Sequence, residues 1–102
     1  RFSRLSNMSD LGGSVIDQTL LADATAAVMG DRQTAYGDPT DNLGRIGQLW
    51  SAWLGKTVSG HDVAVMMALV KISRAAHTHH RDNYVDGIGY LALAERLGRP
   101  WT

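Results

Sequence analysis

A chain of 102 residues supports one domain, and its ten basic and ten acidic residues cancel to a net charge of +0, so the basic face that grips nucleic acid is not announced. Cysteine is absent, which excludes disulfides, thiolate metal sites and thiol nucleophiles. No apolar run approaches the ~18 residues of a membrane span and no signal-peptide core opens the chain, so the expectation is a cytoplasmic protein without a membrane partner.

In chain order, residues 1–13 are polar and Gly/Ser-rich with Met8 inside them. They read as a flexible lead segment, part of it extraneous to a start at Met8, and carry no functional argument. Residues 14–102 read as a single all-α domain. The first helix is expected over about 14–29, with Ile16, Leu20, Ala24 and Ala27 on one face, Ser14 or Asp17 near its start and Gly30 just past its end. The second opens at Asp38-Pro39, an acidic N-cap followed by Pro at the first helical position. It continues through Leu43, Ile46, Trp50 and Trp53 to Gly55.

The third helix has the clearest start: Ser59-Gly60-His61-Asp62 carries capping-box spacing, with Asp62 in place of Glu or Gln. Its run from Val63 to Ile72 is apolar on most sides and predicts the central helix. The fourth is expected from near Asp82, with Asp82-Asn83 as its cap, to about Leu97, closed by Gly98 and Pro100. Short links make consecutive helices antiparallel neighbours. The predicted architecture is therefore an up-and-down four-helix antiparallel bundle. Apolar residues make up 44% of the chain, enough for a core and for surface that a partner subunit could cover, so a homo-oligomer is expected.

The polar residues gather at helix ends. Asp31, Arg32 and Tyr36 fill the first connection, which leads into Asp41 and Asn42; Lys71 and Arg74 lead through a His-rich turn into Asp82, Asp86 and Tyr90. In an antiparallel bundle both groups share one end. Carboxylates suit Mg²⁺, which prefers oxygen ligands; Lys and Arg suit phosphate, and Tyr can stack on a base. A nucleotide–Mg²⁺ complex asks for all three. Each residue also has a plainer reading. Asp82 and Asp86, four residues apart, need an offsetting cation or a solvated face, and Lys71 and Arg74 suit a helix C-terminus in any protein. His77, His79 and His80 match no strong zinc spacing. Trp50 and Trp53 read first as core or interface. Gly87 and Gly89 cost about 1 kcal/mol each inside a helix, which close approach of a neighbouring helix or a ligand would explain.

Four motifs in order resemble a small family of bacteriophage proteins: Asp31-Arg32-Gln33-Thr34-Ala35-Tyr36-Gly37-Asp38, Leu49-Trp50-Ser51-Ala52-Trp53-Leu54-Gly55, the run from Asp62 to Arg74, and Asp82-Asn83-Tyr84-Val85-Asp86-Gly87-Ile88-Gly89-Tyr90. More distantly, the Tyr-Gly-Asp turn and the late Asp-x-x-x-Asp-x-x-x-Tyr helix are similar to the nucleotide-modification-associated domain of phages and, through it, to the MazG-like all-α nucleoside triphosphate pyrophosphatases. That resemblance implies an oligomeric helical fold, helix carboxylates holding Mg²⁺, and hydrolysis between the α- and β-phosphates. Carried onto this chain, it implies Asp82 and Asp86 as catalytic metal ligands joined by Asp41. It implies Lys71 and Arg74 as phosphate contacts, and a nucleotide pocket completed by Asp31, Arg32, Tyr36, Asn42 and Tyr90. The Glu-x-x-Glu pair of the pyrophosphatases is not matched, for the second helix reads Asp41-Asn42-Leu43-Gly44-Arg45-Ile46-Gly47-Gln48 and Glu95 is the one glutamate in the chain.

Three functions follow as expectations: a Mg²⁺-dependent nucleotide pyrophosphatase acting on a phage's nucleotide pool; a non-catalytic protein that sequesters a nucleotide signal on the same scaffold; and a helical interaction module without a ligand.

Overall fold

The computed structural model describes residues 15–30 and 37–98. Every regular element among them is a helix: α1 Gln18–Met29, α2 Pro39–Leu54, α3 Gly60–His77 and α4 Arg81–Leu97. The expected all-α class and four helices are found among the described residues.

The helix starts follow local chemistry. Asp17 caps α1, its carboxylate accepting from the Thr19 and Leu20 backbone N–H groups at 2.9 and 3.3 Å. Asp38 caps α2 through the Thr40 N–H at 2.9 Å, with Pro39 pre-set in the first turn where its missing N–H costs nothing. At α3 the capping box is complete: Ser59 Oγ accepts from Asp62 N–H at 3.1 Å and Asp62 Oδ2 accepts from Ser59 N–H at 3.2 Å. Gly55 ends α2 in the left-handed region at φ 70°, where a side chain would be strained.

The fourth start differs from expectation. His80 is the N-cap residue and makes no side-chain cap bond, while Asp82 lies inside the first turn. Asp82 therefore favours the helix through its charge near the positive end of the dipole and does not cap it.

The centre of the fold also differs. The consecutive pairs α2–α3 and α3–α4 pack as expected, but α1 packs principally on α4, and α4 makes contact with all three others. A short link brings two helices close without deciding which faces match; α1 instead follows Gly89, where an added Cβ would sit 3.1 Å from Val28 Cγ1. The close helix approach expected from the glycine pair is thus made at Gly89, while a Cβ at Gly87 would meet only ordinary contact with Lys71. Arg81 adds polar ties across the same junction, to Asp23 and, at 3.2 Å, to Thr19 Oγ1.

A cluster of Leu43, Val63, Ala64, Leu93 and Ala94 forms the core, with Ile46, Trp50, Met67 and Tyr90 packed around it. The α2–α3 corner is drawn in by backbone contact. A Cβ on Gly47 would fall 2.7 Å from the Val58 carbonyl oxygen, and Ser51 Oγ accepts from Val58 N–H at 2.7 Å. Gly47→Ala should therefore destabilise the protein by about 1–3 kcal/mol, read as a fall in denaturation midpoint at unchanged m-value, because a fixed carbonyl blocks the methyl group.

Hydrogen bonds from Thr19 and Thr40, hydroxyl and backbone together, hold the Asp17 and Asp38 carboxyls below the ordinary carboxylate range. Such a group stabilises the folded state above its unfolded pKa and loses that contribution as pH falls through the lower folded value. Thermal melts should show a drop in midpoint as pH falls from just above the ordinary carboxylate range through it, and the Asp17→Asn, Asp38→Asn double variant should show a shallower drop.

Candidate functional site

Two cavities meet at one residue. α2, α3 and α4, with the end of α1, enclose an apolar cavity of ≈ 400 Å³ walled by Val28, Leu43, Ile46, Trp50, Met67 and Leu93; Asn42, Asp86 and Tyr90 supply its polar atoms. The C-terminal half of α3 and the start of α4 enclose a polar cavity of ≈ 530 Å³ lined by Lys71, Ser73, Arg74, His77, Thr78, His80, Asp82, Asn83 and Asp86. Asp86 borders both.

The local sequence explains the placement. Asp82, Asp86 and Tyr90 follow at intervals of four on α4, so they form one ridge running from the polar cavity into the apolar one. Lys71 projects from the facing helix, and its Nζ lies 3.1 Å from Asp86 Oδ2 with the two side chains only 14% and 21% exposed. This pair supplies the cation that two carboxylates one turn apart require. Arg74 lies three residues further along α3, in the last turn, where the helix dipole favours a positive charge. The uncapped start of α4 adds first-turn N–H groups on which anions are favoured.

Of the residues expected from sequence, Lys71, Arg74, Asp82 and Asp86 come together in the polar cavity, and Asn42 and Tyr90 join Asp86 in the apolar one. Asp31, Arg32 and Tyr36 lie outside the described residues. Asp41, exposed in the first turn of α2, lines neither cavity. Among the described residues no three His, Asp or Glu side chains group so as to hold a metal ion; Asp41, Asp82 and Asp86 are therefore not a joint ligand set here, because Asp41 belongs to a different surface and Asp86 is already paired with Lys71. The tryptophans divide. Trp50 is half-buried in the apolar wall, whereas Trp53 is 88% exposed. His77 and His80, weighed in the sequence only as zinc ligands, are cavity residues; their position in the turn between the two cationic residues and Asp82 was the signal available.

The ion pair predicts coupled substitutions. Lys71→Met and Asp86→Asn should each destabilise by about 1–2 kcal/mol, since each leaves a mostly desolvated partner unmatched, and the double variant should cost less than their sum. Denaturant titration of the four proteins measures that coupling.

Comparison with known proteins places this chain in a family. The family described as "Domain of unknown function (DUF6378)" matches residues 19–98. The chain is 37% identical over 83 residues to the Gene 55 protein of Mycobacterium phage D29, covering 80% of this chain and 55% of the relative. It is 38% identical over 84 residues to the Gene 55 protein of Mycobacterium phage L5, covering 80% and 54%. The chain thus spans about half the length of these relatives. No solved structure matches it.

Proposed function

The chain belongs to the DUF6378 family, a domain of unknown function with phage relatives, and from that premise we propose that it binds a nucleotide or nucleotide-derived small molecule. The base occupies the apolar cavity and the phosphates the polar one. One arrangement carries this reading: a cavity lined mainly by apolar residues and an open one lined by polar and charged residues share a wall at Asp86, each within the ~300–1,000 Å³ range of small-ligand pockets. Trp50 and Tyr90 offer aromatic surface for a base, and the Asn42 amide offers both donor and acceptor for its edge. Arg74 presents a fork suited to phosphate oxygens, and Lys71 can exchange its bond with Asp86 for one to an arriving phosphate.

Mg²⁺ fits this proposal as part of the ligand. Asp82 and Asp86 alone, with Asp86 matched by Lys71, do not make a protein-only metal site; Mg²⁺ commonly takes one or two carboxylates plus substrate phosphates and water. The MazG-like pyrophosphatase remains the second reading, favoured by Asp82 and Asp86 lying one turn apart on the same polar wall.

Thermal unfolding against a panel of canonical and cyclic nucleotides, with and without Mg²⁺, tests the proposal. A ligand at 100 times its Kd should stabilise by ~2.7 kcal/mol, a shift of several degrees, and Trp50→Ala and Arg74→Ala should each reduce that shift. Recovery of the ligand intact supports binding without turnover. Monophosphate with pyrophosphate supports the hydrolase. No shift across the panel sinks both readings.

A further inference from the structure

Asp86 stands where the two cavities meet, and its carboxylate is only half engaged. Oδ2 lies 3.1 Å from Lys71 Nζ, and among the described residues no other hydrogen bond or ion pair reaches the side chain. Oδ1 is left to accept, on a group that is 21% exposed. Because Asp86 borders both cavities, a molecule that fills the two meets it at the crossing.

We infer that Asp86 selects the sugar and that, given the nucleotide reading above on which this rests, the ligand is a ribonucleotide and not its 2′-deoxy counterpart. A nucleotide has three parts in fixed order. With the base beside Trp50 and the phosphates beside Arg74, the part left against Asp86 is the sugar. A carboxylate repels phosphate oxygens and accepts from hydroxyls, so the ribose diol is the portion of a nucleotide it suits. Dinucleotide-binding folds place an acidic side chain on ribose hydroxyls for the same reason.

Lys71 sharpens the preference. When its ammonium turns to an arriving phosphate, Oδ2 loses its partner, and the 2′- and 3′-hydroxyls can then occupy both carboxylate oxygens. Neither charge of the pair is left unmatched by that exchange. A 2′-deoxy sugar has one hydroxyl to give there, so one oxygen of a mostly desolvated carboxylate stays bare. Asp82, one turn nearer the start of α4, lines the polar cavity alone and is left for a Mg²⁺ that arrives with the phosphates.

Calorimetric titration of the wild-type protein tests the assignment, with mono- and triphosphates of the four bases, each beside its 2′-deoxy form, in Mg²⁺. For a base that binds, the ribose form should bind about 10- to 100-fold more tightly, the range of one hydrogen bond to a charged group. Asp86→Ala should bring the two forms close to equal affinity with its helical circular dichroism kept. The Lys71→Met, Asp86→Ala double variant leaves no charge unmatched; it should lose the preference as well, and serves where the single variant does not fold. A 2′-deoxy form bound as tightly as its ribose form, or more tightly, would overturn the sugar assignment and leave nucleotide binding standing. A preference that survives Asp86→Ala would overturn Asp86 as its source. No binding by any member would overturn nucleotide binding itself, and the sugar assignment with it.

Discussion

The Lys71–Asp86 pair is the contact on which the rest of the site depends. It joins the two helices that pack most extensively, and it stands where an apolar cavity turns into a polar one. A charge pair largely withdrawn from water is costly to split and contributes little net stability beside an apolar alternative. Its stronger effect here is on geometry. It ties α4 to α3 at the level where Tyr90 faces the apolar wall and Asp82 the cationic one. It also holds a lysine and a carboxylate in mutual neutralisation at the edge of the polar cavity, which is where the proposed nucleotide reading would put a phosphate.

The sequence disclosed those features that depend on neighbours a few residues away. Asp38-Pro39, the Ser59–Asp62 box and Gly55 each act within one turn, and each helix boundary they mark was found at that position. The start of α4, expected near Asp82, falls at Arg81, but its cap differs: Asp82-Asn83 looks like one, while the residue that occupies the position, His80, gives no side-chain bond. Longer-range matters were not legible. Periodicity puts Trp50 and Trp53 on neighbouring faces but cannot say which one turns inward, because that depends on how α2 is rotated against α4. The apolar run of α3 predicted a helix buried on most sides, yet Met66, Leu69, Val70 and Ile72 are exposed, because an apolar run does not say how many sides have neighbours. Asp41 was grouped with Asp82 and Asp86 by its place at a helix start, and only the rotation of α2 separates it from them.

Alanine makes up half of the buried core among the described residues. Alanines at 24, 64, 68 and 94 are buried, and Val63 is the one large side chain fully withdrawn from solvent among the described residues. Small residues let helices approach closely, as the Gly47 and Gly89 contacts do, but each buries little apolar area, and hydrophobic stabilisation scales with that area. The larger apolar side chains lie instead on the outside or around the cavities. Association and ligand binding would both cover surface that folding leaves exposed, and both would raise stability by mass action.

One feature of α1 has a kinetic side. Its packing is principally on α4, through the Gly89 crossing, and its polar ties from Arg81 run to side chains that are about half exposed, where salt screens them. Yet Ala27 and Val28 at its end close part of the apolar cavity. The wall of that cavity therefore includes a helix tied to the rest chiefly through one neighbour, the kind of element at which local opening starts. Passage into and out of the cavity would be timed by the breathing of a single helix, and ionic strength would set its tempo.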